Sequence, residues 1–315
     1  MKALITGVNG FVGEYLTAYL KSKDVDVFGT DIIEKQVDGL SHFVKADLLD
    51  EKSANDLVAD VKPDFVYHLA GQSNVGLSWA KPALTFRVNL AASVNMMDAV
   101  RKEAPNAKML IIGSADQYGT VAPEMCPLKE DMPINPQSPY ALSKAMQEQS
   151  AHFYIKHFGL NIVLVRAFNH IGPGQKTGFV IPDFASRIAK IEQGLLNRLE
   201  VGNLSAARDF SDVRDIVRGY YLLMEKGRCG EIYNIGSGTH TKISDILKLM
   251  LSYAAKDIDV YEDPAKMRPS DAPLIYGDCS KIRNDVGYIP EYQLEQTIQE
   301  VLDYWRVQVV SSNNQ

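Results

Sequence analysis

Lys2-Ala3-Leu4-Ile5-Thr6-Gly7-Val8-Asn9-Gly10-Phe11-Val12-Gly13 opens the chain with a short apolar run and three glycines at three-residue intervals. An amphipathic stretch then continues to about Lys21. Strand, glycine turn, helix is the setting in which a dinucleotide pyrophosphate is held. Gly7 permits the tight turn, Gly10 lets the backbone approach the phosphates, and Gly13 lets the helix lie close to the strand. The helix N-terminus adds amides and a partial positive charge. The spacing here is Gly-x-x-Gly-x-x-Gly, not Gly-x-Gly-x-x-Gly. A second strand, Val25 to Gly29, leads to Asp31. That residue lies about 20 positions beyond the glycines, where a carboxylate bonds the adenosine ribose and repels a 2′-phosphate. This favours NAD(H), while Lys35 nearby keeps NADP(H) open.

The same alternation continues. His42–Lys45 reads as a third strand, closed by Ala46-Asp47-Leu48, with Asp47 either over the adenine edge or capping a helix. Asp64–Ala70 reads as a fourth strand, and the small residues running into Gly71-Gln72-Ser73 let a ligand reach the sheet edge. His68 at that strand end reads as structural rather than as a base. A long helix is expected from about Leu84 to Glu103, carrying Asn89 and an apolar stripe through Leu90, Val94, Met97 and Val100. Lys108–Gly113 is a fifth strand, ending in Ser114-Ala115-Asp116-Gln117-Tyr118-Gly119. Five strand–helix units imply an α/β protein with a doubly wound parallel sheet and its ligand at the strands' C-terminal ends.

Beyond Asn161–Arg166 the texture changes. Residues 1–167 read as a dinucleotide-binding domain to which some later segments return. Residues 168–308 read as a smaller mixed α/β substrate domain, with helices near Phe179–Gln193, Val213–Lys226, Ile243–Ala254 and Leu294–Arg306. Val309–Gln315 reads as a frayed tail.

Ser138-Pro139-Tyr140-Ala141-Leu142-Ser143-Lys144 places a phenol and an ammonium at i and i+4 on a helix that starts at a proline. A lysine beside a phenol favours the phenolate, so Tyr140 is expected to exchange a proton near neutral pH. Ser114, at the end of the fifth strand, supplies a third polar group.

The chain has 315 residues, 46% hydrophobic and 23% charged, with a net charge of −6. No Lys/Arg block suggests a nucleic-acid groove. Cys126, Cys229 and Cys279 are scattered without metal-ligand spacing and suit reduced thiols, so no metal is expected. No leader precedes the first strand, and no window approaches about 18 apolar residues, so a cytoplasmic protein with no membrane partner is expected.

Taken together, the residues resemble the extended short-chain dehydrogenase/reductase family that acts on nucleotide sugars. The motifs that carry the resemblance are Gly7-x-x-Gly10-x-x-Gly13, Asp31, Asp47-Leu48, His68-Leu69-Ala70-Gly71, Ser114, Tyr140-x-x-x-Lys144 and Arg166-x-x-Asn169-x-x-Gly172-Pro173. They fall in the family's order over essentially the whole chain. The resemblance implies a Rossmann sheet with Ser114, Tyr140 and Lys144 as the catalytic trio. It adds Phe11, Val12, Leu48, Leu69, Ala70, Gly71, Asn89 and Phe168 to the cofactor side. On the substrate side it implies Gln72, Ser114, Asp116 and Asn169, with Val201, Asn203, Arg208 and Arg268 further along. The two arginines would grip a pyrophosphate or else sit in surface salt bridges.

Val201-Gly202-Asn203-Leu204 and Phe168-Asn169-His170-Ile171-Gly172-Pro173 look like the GDP-mannose branch. Within that branch Ser114-Ala115-Asp116 resembles the reductase of GDP-4-dehydro-6-deoxy-mannose more than the 4,6-dehydratase, whose segment resembles Thr-Ser-Glu-Leu-Tyr-Gly. The implied reaction is reduction of the C4 ketone to a GDP-6-deoxy-hexose such as GDP-rhamnose. A 4,6-dehydratase, a nucleotide-sugar 4-epimerase and, remotely, a non-catalytic nucleotide sensor are the alternatives. A homodimer through the helices near Leu84–Glu103 and Tyr140–Phe158 is implied by resemblance alone.

Overall fold

The computed structural model describes residues 1–35, 37–266 and 272–313. Its main sheet begins with β1 (Lys2–Thr6), followed by α1 (Phe11–Lys21), β2 (Asp26–Asp31), β3 (His42–Lys45), α2 (Glu51–Val61) and β4 (Phe65–His68). Next come α3 (Val75–Ala80), α4 (Pro82–Phe86), α5 (Ala92–Glu103), β5 (Lys108–Ile112), α6 (Pro139–Phe158) and β6 (Asn161–Ala167). Alternate residues of β1 feed opposite cores. Ala3 and Ile5 pack with Leu16 and Leu20 of α1, whereas Leu4 packs with Leu57 and Val58 of α2 and Met96 and Met97 of α5. Both faces are therefore covered by helices, the condition under which a parallel sheet is stable.

The second half contributes β7 (Asn169–Ile171), α7 (Val180–Glu192), β8 (Leu199–Val201), β9 (Ala207–Arg208), β10 (Phe210–Asp212), α8 (Val213–Lys226) and β11 (Ile232–Ile235). It closes with β12 (Thr241–Lys242), α9 (Ile243–Ser252), β13 (Val260–Glu262), β14 (Leu274–Ile275), α10 (Ser280–Val286) and α11 (Leu294–Asn313). The main sheet has seven strands in the order β11-β6-β5-β4-β1-β2-β3, and every pairing within it is parallel. The order reverses between β1 and β4, the switch point where such sheets bind ligands. β11 and α8 come from the later half, yet β11 extends the main sheet and α8 packs in its core. Three small sheets, β10-β7, β12-β9-β14 and β13-β8, build the other layer.

Three expectations change. Between β2 and β3, residues 32–41 carry no helix among those described, so the second unit is a bare crossover. The helix expected over Leu84–Glu103 runs continuously from Pro82, but α4 passes into a π-helical turn, Arg87–Ala91, before α5 begins. Asn89 lies in that turn, fully buried and bonded to its neighbours, and an inserted residue of this kind re-aims a side chain toward a site. The tail expected from Val309 is instead helix through Asn313, with Val309 only 5% exposed. Arg306 anchors it by bonding Glu192 and the Tyr253 carbonyl.

Candidate active site

The glycine turn is shaped by close approaches. Gly7 has φ +69°, and a Cβ on it would stand 2.8 Å from the Ala70 backbone. One on Gly13 would stand 2.4 Å from the Val8 carbonyl oxygen. The Gly7 and Val8 amides donate to Thr30 O, which ties the turn to the end of β2. Gly10 is the N-cap of α1 and brings no side-chain cap, so the first-turn amides of α1 keep their anion-binding character. Phe11 meets Tyr15 edge-on and lies parallel to the His170 ring, at centroid distances of 5.5 and 6.4 Å; Val12 packs against the core.

Asp31 accepts from the amides of Asn9 (3.3 Å) and Ile32 (2.8 Å). Asn9 Oδ1 is buried without a partner among the described residues. Lys35, which kept NADP(H) open, is bonded to Glu14. Asp47 does not cap α2: it accepts from the Leu49 amide, and Asp50 is the cap. Leu48 is buried, and its carbonyl accepts from Asn95. Compact glycines, an uncapped helix start, an orphaned amide oxygen and a carboxylate at the end of β2 fit a nicotinamide dinucleotide.

α6 starts where Ser138 Oγ accepts from the Ala141 amide and Pro139 takes the first turn. Its buried face is polar, carrying Tyr140, Ser143, Lys144, Gln147 and Glu148. Ser114 neighbours the Tyr140 phenol and eases its ionisation. Burial and the Asp116 carboxylate push that phenol well above its ordinary range, which overturns the expectation of a phenolate-leaning Tyr140. Lys144 is not among the groups that set the Tyr140 proton; its own ammonium is desolvated and lowered to about 8. The amine donates to Ile112 O (2.8 Å) and Gln147 Oε1 (3.1 Å). Gly71 stands beside it: a Cβ there would be 3.7 Å from Lys144 Nζ and 3.1 Å from Asn89 Oδ1.

Asn89 Nδ2 donates to Ser143 Oγ and Gln72 O, and Asn89 Oδ1 accepts from the Gln72 amide. The Gln72 side chain donates to Asn74 O and Thr85 Oγ1 and so is engaged within its own loop. A further chain runs from Gln147 Nε2 to Ser93 Oγ (2.6 Å), His68 Nε2 to Ser93 Oγ (2.8 Å) and Thr6 Oγ1 to His68 Nδ1 (2.9 Å). Ser93 gives its one proton to Asn89 O, and Thr6 accepts from the Ala70 amide. Proton accounting therefore assigns His68 as the neutral Nε2–H tautomer. Burial, with Lys144 nearby, lowers its pKa to about 3. His68 is structural, as its position suggested.

On the substrate side Asp116 is exposed, and its amide donates to Ser114 Oγ (3.2 Å). Leu69 packs on the core. Phe168 is buried, with its amide on Ile235 O, and Asn169 is exposed at the start of β7. Val201 is buried at the end of β8; Asn203 Oδ1 accepts from the Ser205 amide and hydroxyl, and Arg208 donates to Ala207 O. Val201 and Arg208 lie on two of the smaller sheets, with Asn203 on the segment between them. Arg268 lies outside the described residues. Gln117, Ser143, Gln147 and Glu148 were not singled out by motif, although a helical polar stripe at 140, 143, 144, 147 and 148 is visible in the sequence. Among the described residues no acidic, His or Cys cluster is arranged for a metal, and no helix is long and apolar enough to cross a membrane.

A family profile described as "GDP-mannose 4,6 dehydratase" matches residues 4–301. The chain is 34% identical over 309 residues to GDP-6-deoxy-D-mannose reductase of Pseudomonas aeruginosa, covering 98% of each chain. The structure of the Pseudomonas aeruginosa protein RMD complexed with NADPH superposes with a TM-score of 0.87 at 33% identity, covering 98% of this chain and 99% of that one. A UDP-glucose 4-epimerase of Thermus thermophilus, in complex with NAD, superposes with a TM-score of 0.87 at 27% identity, covering 97% and 99%. A match of this extent, on a sheet and glycine turn built this way, means that the chain belongs to the extended short-chain dehydrogenase/reductase family of NAD(P)-dependent nucleotide-sugar enzymes.

Proposed function

We propose that the protein reduces the C4 ketone of a GDP-4-dehydro-6-deoxy-hexose, giving a GDP-6-deoxy-hexose such as GDP-rhamnose. The observation that carries this reading is a buried phenol, Tyr140, with the Ser114 hydroxyl as its neighbour and with burial and Asp116 favouring the proton on its oxygen. Such a group gives a proton readily only when a strong base develops beside it, which is what a ketone oxygen becomes during reduction. When bound, a reduced nicotinamide would supply the hydride. Tyr140 Oη gives its proton to the C4 oxygen, while Ser114 Oγ holds that oxygen by a hydrogen bond. Lys144 adds positive charge one helical turn away. A positioned general acid contributes about 10² to 10⁴ in rate, so Tyr140→Phe should lose most turnover and spare nucleotide binding.

Gly7, Gly10 and Gly13 would hold the pyrophosphate and Asp31 the adenosine ribose, with NADH preferred because a 2′-phosphate meets a carboxylate there. Arg208 is proposed for the substrate diphosphate. Identity of 34% along nearly the whole length of a GDP-6-deoxy-D-mannose reductase supports the guanine-linked substrate. A second copy of the chain is proposed as partner, because α6 exposes Leu142, Met146 and Phe153 on the side away from its polar face.

The test offers purified protein GDP-4-dehydro-6-deoxy-mannose with NADH or NADPH and follows cofactor oxidation. Oxidation that depends on Tyr140, faster with NADH, is expected. No oxidation with either cofactor sinks the reductase reading. Conversion of GDP-mannose without added reductant would favour dehydration instead.

A further inference from the structure

We infer that Gln117 is a positioning residue for the Ser114–Tyr140 pair, linking the Ser114 turn to Glu148 on the helix that carries Tyr140. The inference rests on the roles proposed above for those two residues. Gln117 is fully buried and bonded at both ends of its amide. Its Oε1 accepts from the Ser114 amide at 2.8 Å, and its Nε2 donates to Glu148 Oε2 at 2.8 Å. Only one orientation of the amide serves both, because a flip would set oxygen against carboxylate and NH₂ against N–H.

Glu148 lies one turn beyond Lys144 and two beyond Tyr140 on α6, and is 3% exposed. It is fixed from the far side by Arg166 of β6, whose Nε and Nη2 meet its two oxygens at 3.0 and 2.8 Å. Arg166 is itself pinned, donating to Glu130 O and lying 4.8 Å over the Tyr118 ring. The turn that presents Ser114 Oγ and the helix that presents Tyr140 Oη are therefore joined through one short buried bridge. An apolar side chain at 117 would fill the space but leave the Ser114 amide and one Glu148 lone pair without partners.

Three variants test this. Gln117→Met removes both bonds without adding charge. Misplacement by about 1 Å costs on the order of 100-fold, so kcat for the keto sugar should fall about 10- to 100-fold, with KM and NADH affinity little changed. Gln117→Glu sets a second carboxylate against Glu148, whose other charged neighbour is the Arg166 guanidinium from β6. That pair takes up a proton at acid pH, so kcat should recover as pH falls, a limb the parent lacks. The exchange Gln117→Glu with Glu148→Gln leaves one carboxylate and one amide beside Arg166 and should restore turnover.

Folded Gln117→Met and Gln117→Glu proteins with unchanged kcat and no new pH limb overturn the inference. So does a kcat that falls only in proportion to the folded, NADH-binding fraction. If the parent shows no activity on the keto sugar, the functional reading has failed, and the bridge is read without substrate. The ¹³Cζ tyrosine resonance that disappears in Tyr140→Phe should then shift in Gln117→Met, and an unmoved resonance rejects the bridge.

Discussion

At Tyr140, burial and the neighbouring Asp116 carboxylate act in the same direction, and both hold the proton on the phenol. Asp116→Asn removes the negative charge, so the phenolate becomes easier to form and the phenol pKa falls. The alkaline limb of the kcat profile, where the proton donor is lost, should therefore move to lower pH. A pH–rate profile of parent and variant checks this, and a limb displaced upward would exclude the electrostatic role of Asp116. The places of Tyr140, Lys144, Asp31 and the three glycines in the fold were legible in the sequence, because each motif is set by local spacing on one helix or one turn. The proton state of Tyr140 was not legible. It depends on burial and on Asp116, which comes from a different segment, whereas the expectation weighed only Lys144 on the same helix. The Gln117–Glu148–Arg166 bridge was hidden for the same reason, since its members come from a turn, a helix and a strand.

At the scale of elements, β1 and α1 are joined so tightly that side-chain volume at Gly13 has nowhere to go. Gly13→Ala places a methyl group against the Val8 backbone, which cannot swing aside as a side chain would. Overpacking of this kind costs about 1–3 kcal/mol, so a lower urea midpoint together with weaker dinucleotide binding is expected. Retained stability and affinity would show that the turn relaxes. Helix α6 departs from the usual pattern by burying polar groups and exposing Leu142, Met146 and Phe153. Its start was legible from Ser138-Pro139, whereas the π-helical turn at Arg87–Ala91 was not. The reason is that a one-residue insertion leaves the apolar stripe nearly unchanged, and what holds it is Asn89 meeting Gln72 and Ser143. The helical end at Val309–Asn313 was missed because only its packing, and not its composition, favours helix.

For the whole molecule, the exposed apolar residues of α6 are proposed to meet a second copy. Phe153→Glu should therefore convert a dimer to a monomer by sedimentation while leaving the monomer folded, because Phe153 is 53% exposed in the single chain. A parent that sediments as a monomer at micromolar concentration would remove the proposal. The parallel seven-stranded sheet was legible as a fold class, but its outer strand was not: β11 lies far along the chain and joins β6 only after the smaller layer has begun. That connectivity settles how the chain can be divided. A piece ending at Ala167 would carry six strands and leave the outer edge of β6 bare, with its N–H and C=O groups open to any passing strand. We therefore propose that the first half does not stand alone, because α8 and β11 of the later half cover its sheet. It would have to borrow an edge from another molecule, and a cut there should yield intermolecular strand pairing in place of a smaller nucleotide-binding protein.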